Sequence, residues 1–273
     1  MSKFVNFVKL YEGTTSKRII NFFHSSLLIL FLLPLLPFLD TMTAKDIQKE
    51  LESYSTQEKK EFLPYFFKTG KGQYGEGDRF IGVVVPDTRK VAKKYKDIPF
   101  PEVTKLLESE YHECRLCALL ILAERFKKAK ETERKEICDY NLSKTRYINN
   151  WDLVDLSAKD IVGEYLVDKD RSVLYILAES TLLWDQRISI LATFAFIRRG
   201  DLDDIFALSE KLLCHKHDLM HKAIGWMLRE AGKKDKDKLC SFLDRFHKEM
   251  PRTMLRYSIE KFQPEERAHY MKK

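Results

Sequence analysis

The sequence predicts an all-α fold, an α-solenoid of helix-pair repeats with a concave basic face. Three observations carry this. After Met42, nearly every segment places apolar residues at i, i+3, i+4 and i+7, and alternating strand patterns are almost absent. Arg115, Trp151, Arg187 and Lys222 each stand near the start of an apolar helix, at separations of 36, 36 and 35 residues. Such a period marks a unit that buries its face on its neighbours. The 273 residues carry 48 Lys and Arg against 41 Asp and Glu, a net +7, which leans toward a polyanionic partner. A globular helical bundle with coincidental spacing is the alternative.

The composition excludes other classes. With 44% hydrophobic residues, 10 Gly and 8 Pro, the chain is neither collagen-like nor low-complexity. Five scattered cysteines argue against a secreted disulfide framework and for a reducing compartment.

The elements follow in chain order. Residues 27–39 read LLILFLLPLLPFL behind Lys17 and Arg18. This run is shorter than the ~20 residues of a membrane span, and no small-x-small cleavage site follows it. Three readings stand: signal, membrane anchor, or a false start with translation beginning at Met42. The chain therefore divides into a hydrophobic extension, 1–41, and a repeat domain, 42–273. Without the extension the charges are 44 bases and 39 acids, so +5, and the basic lean survives.

TAKDIQKELESYSTQEKKEFL reads as an ordinary polar helical start. TGKGQYGEGD (69–78) reads as a loop. Its G-x-G-x-x-G has no preceding strand, so a dinucleotide site is not indicated. IGVVVP (81–86) is the best strand candidate, with Pro86 opening the helix PDTRKVAKKY. Helices are expected at 112–126, 151–166, 186–197 and 221–232, with ETERKEICDYNLS, RSVLYILAES and DDIFALSEKLL between them. Pro99, Pro101, Gly200-Asp201, Gly232, Pro251 and Pro264 punctuate loops. Cys114 and Cys117 fall inside a helix among apolar residues, which predicts buried, inert thiols. Cys214, His215, His217 and His221 lie close together without the glutamate of a zinc helix. No metal and no cofactor are expected.

The most informative segment is NNWDLVD (149–155). Asn150 suits an N-cap and Asp152 the first helical turn. Trp151 and Asp155 are four apart and share a face. A structural Asp beside a core Trp is one reading. A small site for a cation is the other, because the indole face and the carboxylate both attract positive charge. Trp184 and Arg187 lie one repeat on, and Lys222, Trp226 and Arg229 lie along one helix side another repeat on. If the pairs stack in register, aromatics and bases form one strip suited to a phosphate backbone, with a single acid in it.

That strip resembles the one in DNA alkylation repair glycosylases of the AlkD type, built from HEAT-like repeats. The resemblance rests on YGEGDRFIGVVVPDTRKVAKKY (74–95), INNWDLVD (148–155), LLWDQRISILATF (182–194), HKAIGWMLREAG (221–232) and MPRTMLRYSIEKF (250–262), in order and at family-like spacing. It implies a monofunctional enzyme that removes cationic N3- and N7-alkylated purines from duplex DNA without a base-flipping pocket. By position, Asp155 would be the key carboxylate, and Trp151 and Trp226 would pack on the lesion. Arg187 would hold a phosphate. Lys222 and Arg229 would extend the DNA surface, and Tyr74 is the nearest match to an N-terminal aromatic contact. The resemblance further implies a DNA-associated cytoplasmic monomer needing no protein partner, with a membrane involved only if residues 1–41 are translated. A non-catalytic scaffold binding DNA or protein is the other class.

Overall fold

A computed structural model describes residues 42–272. The proposed extension, residues 1–41, lies outside the described residues. Those described are all-helical, without a β-strand, as an α-solenoid requires.

The first half builds one wall of the site. Thr43 and Asp46 form a capping box at the start of α1 (Ala44–Ser53). Helix α2 (Gln57–Phe66) buries none of its residues and leaves Phe62, Tyr65 and Phe66 exposed. A glycine-rich loop then leads into Ile81–Val84. The strand expected at 81–86 does not form, and Val85 and Pro86 already belong to α3 (Val85–Lys94). The reason is Glu113, which is fully buried. Its carboxylate accepts the amides of Ile81, Gly82 and Val83 at 2.9, 2.8 and 3.1 Å. One side chain thus takes the place of a partner strand. Helix α3 and α4 (Phe100–Leu107) pack on α5 (His112–Lys128), which is buried almost all round. Helix α6 (Glu131–Ser143) follows it.

The helix expected over 151–166 is broken. Helix α7 (Trp151–Asp155) ends at once, and a π-helical turn covers Lys159–Gly163. The Ser157 hydroxyl donates to the Leu153 carbonyl at 2.6 Å, and the Gly163 amide reaches back to Ala158 at 2.8 Å. Gly163 also packs on the Ala192 carbonyl, where a Cβ would sit only 2.3 Å away. The wide turn lets these two backbones meet.

Helix α8 (Ser172–Ala178) packs on α9 (Leu183–Ala192). The expected helix 186–197 is likewise interrupted, because the buried Thr193 turns its hydroxyl onto the Ile190 carbonyl. Helix α10 (Phe194–Arg198) continues beyond it. Helix α11 (Asp203–Lys211), α12 (Asp218–Lys234), α13 (Lys236–Phe246), α14 (Arg252–Ser258) and α15 (Pro264–Met271) complete the described chain. Helix α12 packs on α9, α11, α13 and α14. Gly232 lies inside α12 rather than in a loop, because a Cβ there would strike Leu239 at 2.3 Å. Cys114, Cys117 and Cys138 are buried, and burial pushes the Cys114 thiol up to about 12. Among the described residues no helix is long and apolar enough to cross a membrane.

Candidate functional site

Helix α7 carries the site. The Asn150 side chain caps it, accepting the Trp151 amide at 2.8 Å. Trp151 stacks on Phe67 with centroids 5.3 Å apart, and Phe66 meets it edge-on at 5.9 Å. One turn later, Asp155 is gripped by Arg187 of α9. Arg187 Nε donates to one carboxylate oxygen at 2.8 Å and Nη2 to the other at 2.9 Å. Its Nη1 donates to the Leu219 carbonyl at 2.6 Å. Arg187 is only 4% exposed, so all three nitrogens are spent inside the protein. Burial raises the Asp155 carboxyl above its ordinary value, and the Arg187 pair opposes that without cancelling it.

The Asp155 side chain keeps 15% of its surface exposed. It lines a cavity of about 490 Å³ whose walls include Phe62, Phe66, Phe67, Trp151 and Leu156, with Lys59 also on the lining. The lining is mostly apolar; besides Asp155 it includes Asp152, Glu113 and His112, which are more deeply buried and bonded to internal partners. An apolar, aromatic wall beside a negative charge favours a cation with an organic body.

Behind α7 lies a second ionic cluster. His112 is 1% exposed and spans two carboxylates, Asp152 Oδ2 at 2.8 Å and Asp78 Oδ2 at 3.2 Å. Arg115 Nη2 donates to Asp78 at 2.7 Å, and Asn149 and Asn150 donate to it at 3.1 and 3.3 Å. Burial works against the Asp78 charge, but the His112 hydrogen bond and the Arg115 charge outweigh it and hold the carboxyl below its ordinary value.

The glycine-rich loop runs from this cluster into the site. Gly75 packs on the Phe67 carbonyl, where a Cβ would sit 2.4 Å away. Tyr74 is half-buried, edge-on to Trp184 at 6.1 Å and to His217 at 6.4 Å. Burial pushes its phenol up, and Trp151, Lys222 and Arg187 all lie near enough to act on it.

The structure therefore brings together Trp151, Asp155, Arg187, Tyr74 and Lys222. Lys222 is also paired with Asp218 at 2.7 Å. Trp226 packs toward Phe194, 6.3 Å between centroids, and is not on the cavity lining. Arg229 pairs with Glu260. The histidines serve loop geometry: His215 bonds Gln186 at 2.8 Å, and the His217 ring accepts the Leu219 amide at 3.1 Å. Among the described residues no group of side chains could hold a metal ion.

Sequence reasoning missed Phe66 and Phe67. The signal was the aromatic run in LPYFFK, which precedes the glycine loop and delivers two rings to Trp151. It also missed His112 and Asp78, which meet Asp152 only through the fold.

Comparison with known proteins identifies the family and the fold. The DNA alkylation repair enzyme family matches residues 47–262. A solved structure from Enterococcus faecalis, described as a predicted DNA alkylation repair enzyme, aligns with a TM-score of 0.61 at 14% identity. The alignment covers 77% of this chain and 97% of that one. At that identity it speaks to the fold alone. No curated protein matches the chain.

Proposed function

The chain belongs to the DNA alkylation repair enzyme family, and from that premise we propose that it is a monofunctional DNA glycosylase acting on cationic N3- and N7-alkylated purines in duplex DNA. The observation that carries this is the Asp155 carboxylate, held by a buried arginine and facing an aromatic cavity.

The chemistry needs little more. Alkylation gives the purine a formal positive charge and makes it a good leaving group, so no general acid is required. The C1′–N bond breaks, its electron pair leaves with the base, and positive charge builds on the deoxyribose. A carboxylate meets such charge in glycoside hydrolysis generally. Each Asp155 oxygen spends one acceptor site on Arg187 and keeps another for the sugar or the attacking water. Water then bonds to C1′ and gives up a proton, leaving an abasic site and a free base. Trp151 and Phe66 would lend aromatic faces to the cationic nucleotide. The phosphate contact expected of Arg187 would require it to release Asp155, so its role in this reading is to orient the carboxylate. A DNA-binding strip formed by Lys222, Trp226 and Arg229 across HEAT-like repeats belongs to the same proposal.

The test is release of N7-methylguanine from a duplex by the wild-type chain and by Asp155→Asn. Release by wild type alone supports the reading. Equal release removes Asp155 from the mechanism. No release with retained duplex binding favours a non-catalytic scaffold, once N3-methyladenine has been tried.

A further inference from the structure

The reaction above makes no use of the buried cluster behind α7, yet its geometry fixes a charge state. Both ring nitrogens of His112 face carboxylate oxygens, at 2.8 and 3.2 Å. A neutral imidazole has one N–H and one lone pair, so one nitrogen would aim its lone pair at a carboxylate. Only the imidazolium donates on both sides. Phe80 and Phe67 pack against the ring at 4.7 and 4.8 Å and against each other at 5.1 Å. The charges in contact with it or with its partners are Asp78 from the loop, Asp152 from α7 and Arg115 from α5 itself. Two carboxylates against one guanidinium leave one negative charge, and a protonated His112 brings the sum to zero. The neighbouring Glu113 is committed to the amides of 81–83, and Asp155 to Arg187.

The cluster also joins the glycine-rich loop to α7. Asp78 ends the loop that carries Tyr74, while Asp152 sits between Trp151 and Asp155 in α7. We propose that His112 is held as an imidazolium at neutral pH and is a positioning residue, clamping the Tyr74 loop to the helix that carries Trp151 and Asp155. The part of this concerning excision rests on the glycosylase reading; the charge state and the clamp do not.

Burial opposes the charged ring, but the Asp152 charge and the hydrogen bonds to both carboxylates prevail and raise His112 to about 9. Deprotonation would turn a lone pair onto one carboxylate. The Asp78 contact is the longer of the two and is the side expected to open, loosening the loop at its anchor.

The test uses the full chain with 15N-labelled histidine, the His112 signals being identified by their loss in His112→Gln. At neutral pH both ring nitrogens should show protonated shifts. Their titration midpoint should fall by about one unit or more in Asp78→Asn, which removes one of the two charges. Hydrogen exchange at the Gly75 amide should be about tenfold faster in either variant, reporting local opening of the loop. Excision by wild type should fall at alkaline pH, and in Asp78→Asn that fall should come at lower pH. A neutral His112 tautomer at neutral pH, or unchanged Gly75 exchange in both variants, overturns the proposal. If His112→Gln does not fold, Asp78→Asn alone decides exchange and midpoint, and the wild-type His112 signals are identified by through-space proton contacts with Phe67 and Phe80. Absence of excision by wild type would strike the glycosylase reading and leave the imidazolium and the clamp standing on the spectra.

Discussion

Asp152 and Asp155 stand three residues apart on one short helix, and the protein treats them differently. Asp152 is sealed: one oxygen faces His112 and the other accepts the Leu153 amide at 2.9 Å. Asp155 is gripped by Arg187 and keeps 15% of its side-chain surface exposed, against 6% for Asp152, on the cavity that both line. The clusters around them differ in the same sense. Asp78, in the sealed cluster, is held below its ordinary range, and Asp155 is raised above it. A carboxylate buried against fixed internal partners serves architecture. One that keeps surface exposed in an apolar pocket is available for chemistry.

The largest expected effect bears directly on this contrast. Asp155→Asn should cut N7-methylguanine excision by roughly 100- to 1000-fold, the loss typical when a group aimed at developing charge is removed. Duplex affinity should stay equal or tighten, since a negative charge is lost. Asp152→Asn should instead lower the melting temperature, as expected when a buried ion pair loses one partner. Similar excision losses from both, with similar melting temperatures, would collapse the distinction. Trp151→Ala should reduce excision about tenfold to thirtyfold in single turnover, the range of a cation–π contact worth roughly 2 kcal/mol.

Titration sharpens the comparison. Because Asp155 is raised, excision should fail on acidification at a pH above the ordinary aspartate range, as the carboxylate is lost. Stability responds with the other cluster. His112 is raised to about 9, so its contribution is full below its unfolded value near 6.5 and vanishes as pH rises through the folded one. That contribution is on the order of 3 kcal/mol at most, by the usual conversion of a shift into free energy. Asp78 is lowered, so its contribution is present above its unfolded value and is lost in acid. Urea unfolding should therefore show a plateau bounded by both limbs, and His112→Gln should remove the alkaline one.

The smallest effect concerns Arg187. A surface arginine on a phosphate would lower the salt slope of DNA binding by about one when removed. Buried on Asp155, Arg187→Ala should leave that slope unchanged and move the acid limb of excision upward instead. A slope reduced by one would show that Arg187 leaves Asp155 when DNA binds.

The sequence made the α7 face legible because it is local. Trp151 and Asp155 are one helical turn apart, and Asn150 caps their helix as its side chain dictates. Spacing also pointed to Arg187, but not to its being buried on Asp155, since that pairing spans 32 positions and two helices. His112 and its partners, 34 and 40 residues away, leave no periodic trace at all. The breaks after Asp155 and at Thr193 were hidden for a related reason. Apolar periodicity runs straight through them, while the Gly163–Ala192 approach that shapes the first is a tertiary fact. Gly232 looked like a loop residue because glycine serves turns and close helix packing equally well.

Glu113 holds the amides of Ile81, Gly82 and Val83. Those residues and Val84 are apolar and mostly β-branched, a composition that adds itself to any neighbouring chain offering free carbonyls. By binding the donors first, the carboxylate keeps a sticky segment from recruiting copies of itself. Substitution of Glu113 by alanine should therefore surface in the insoluble fraction during production, before any change in catalysis could be measured.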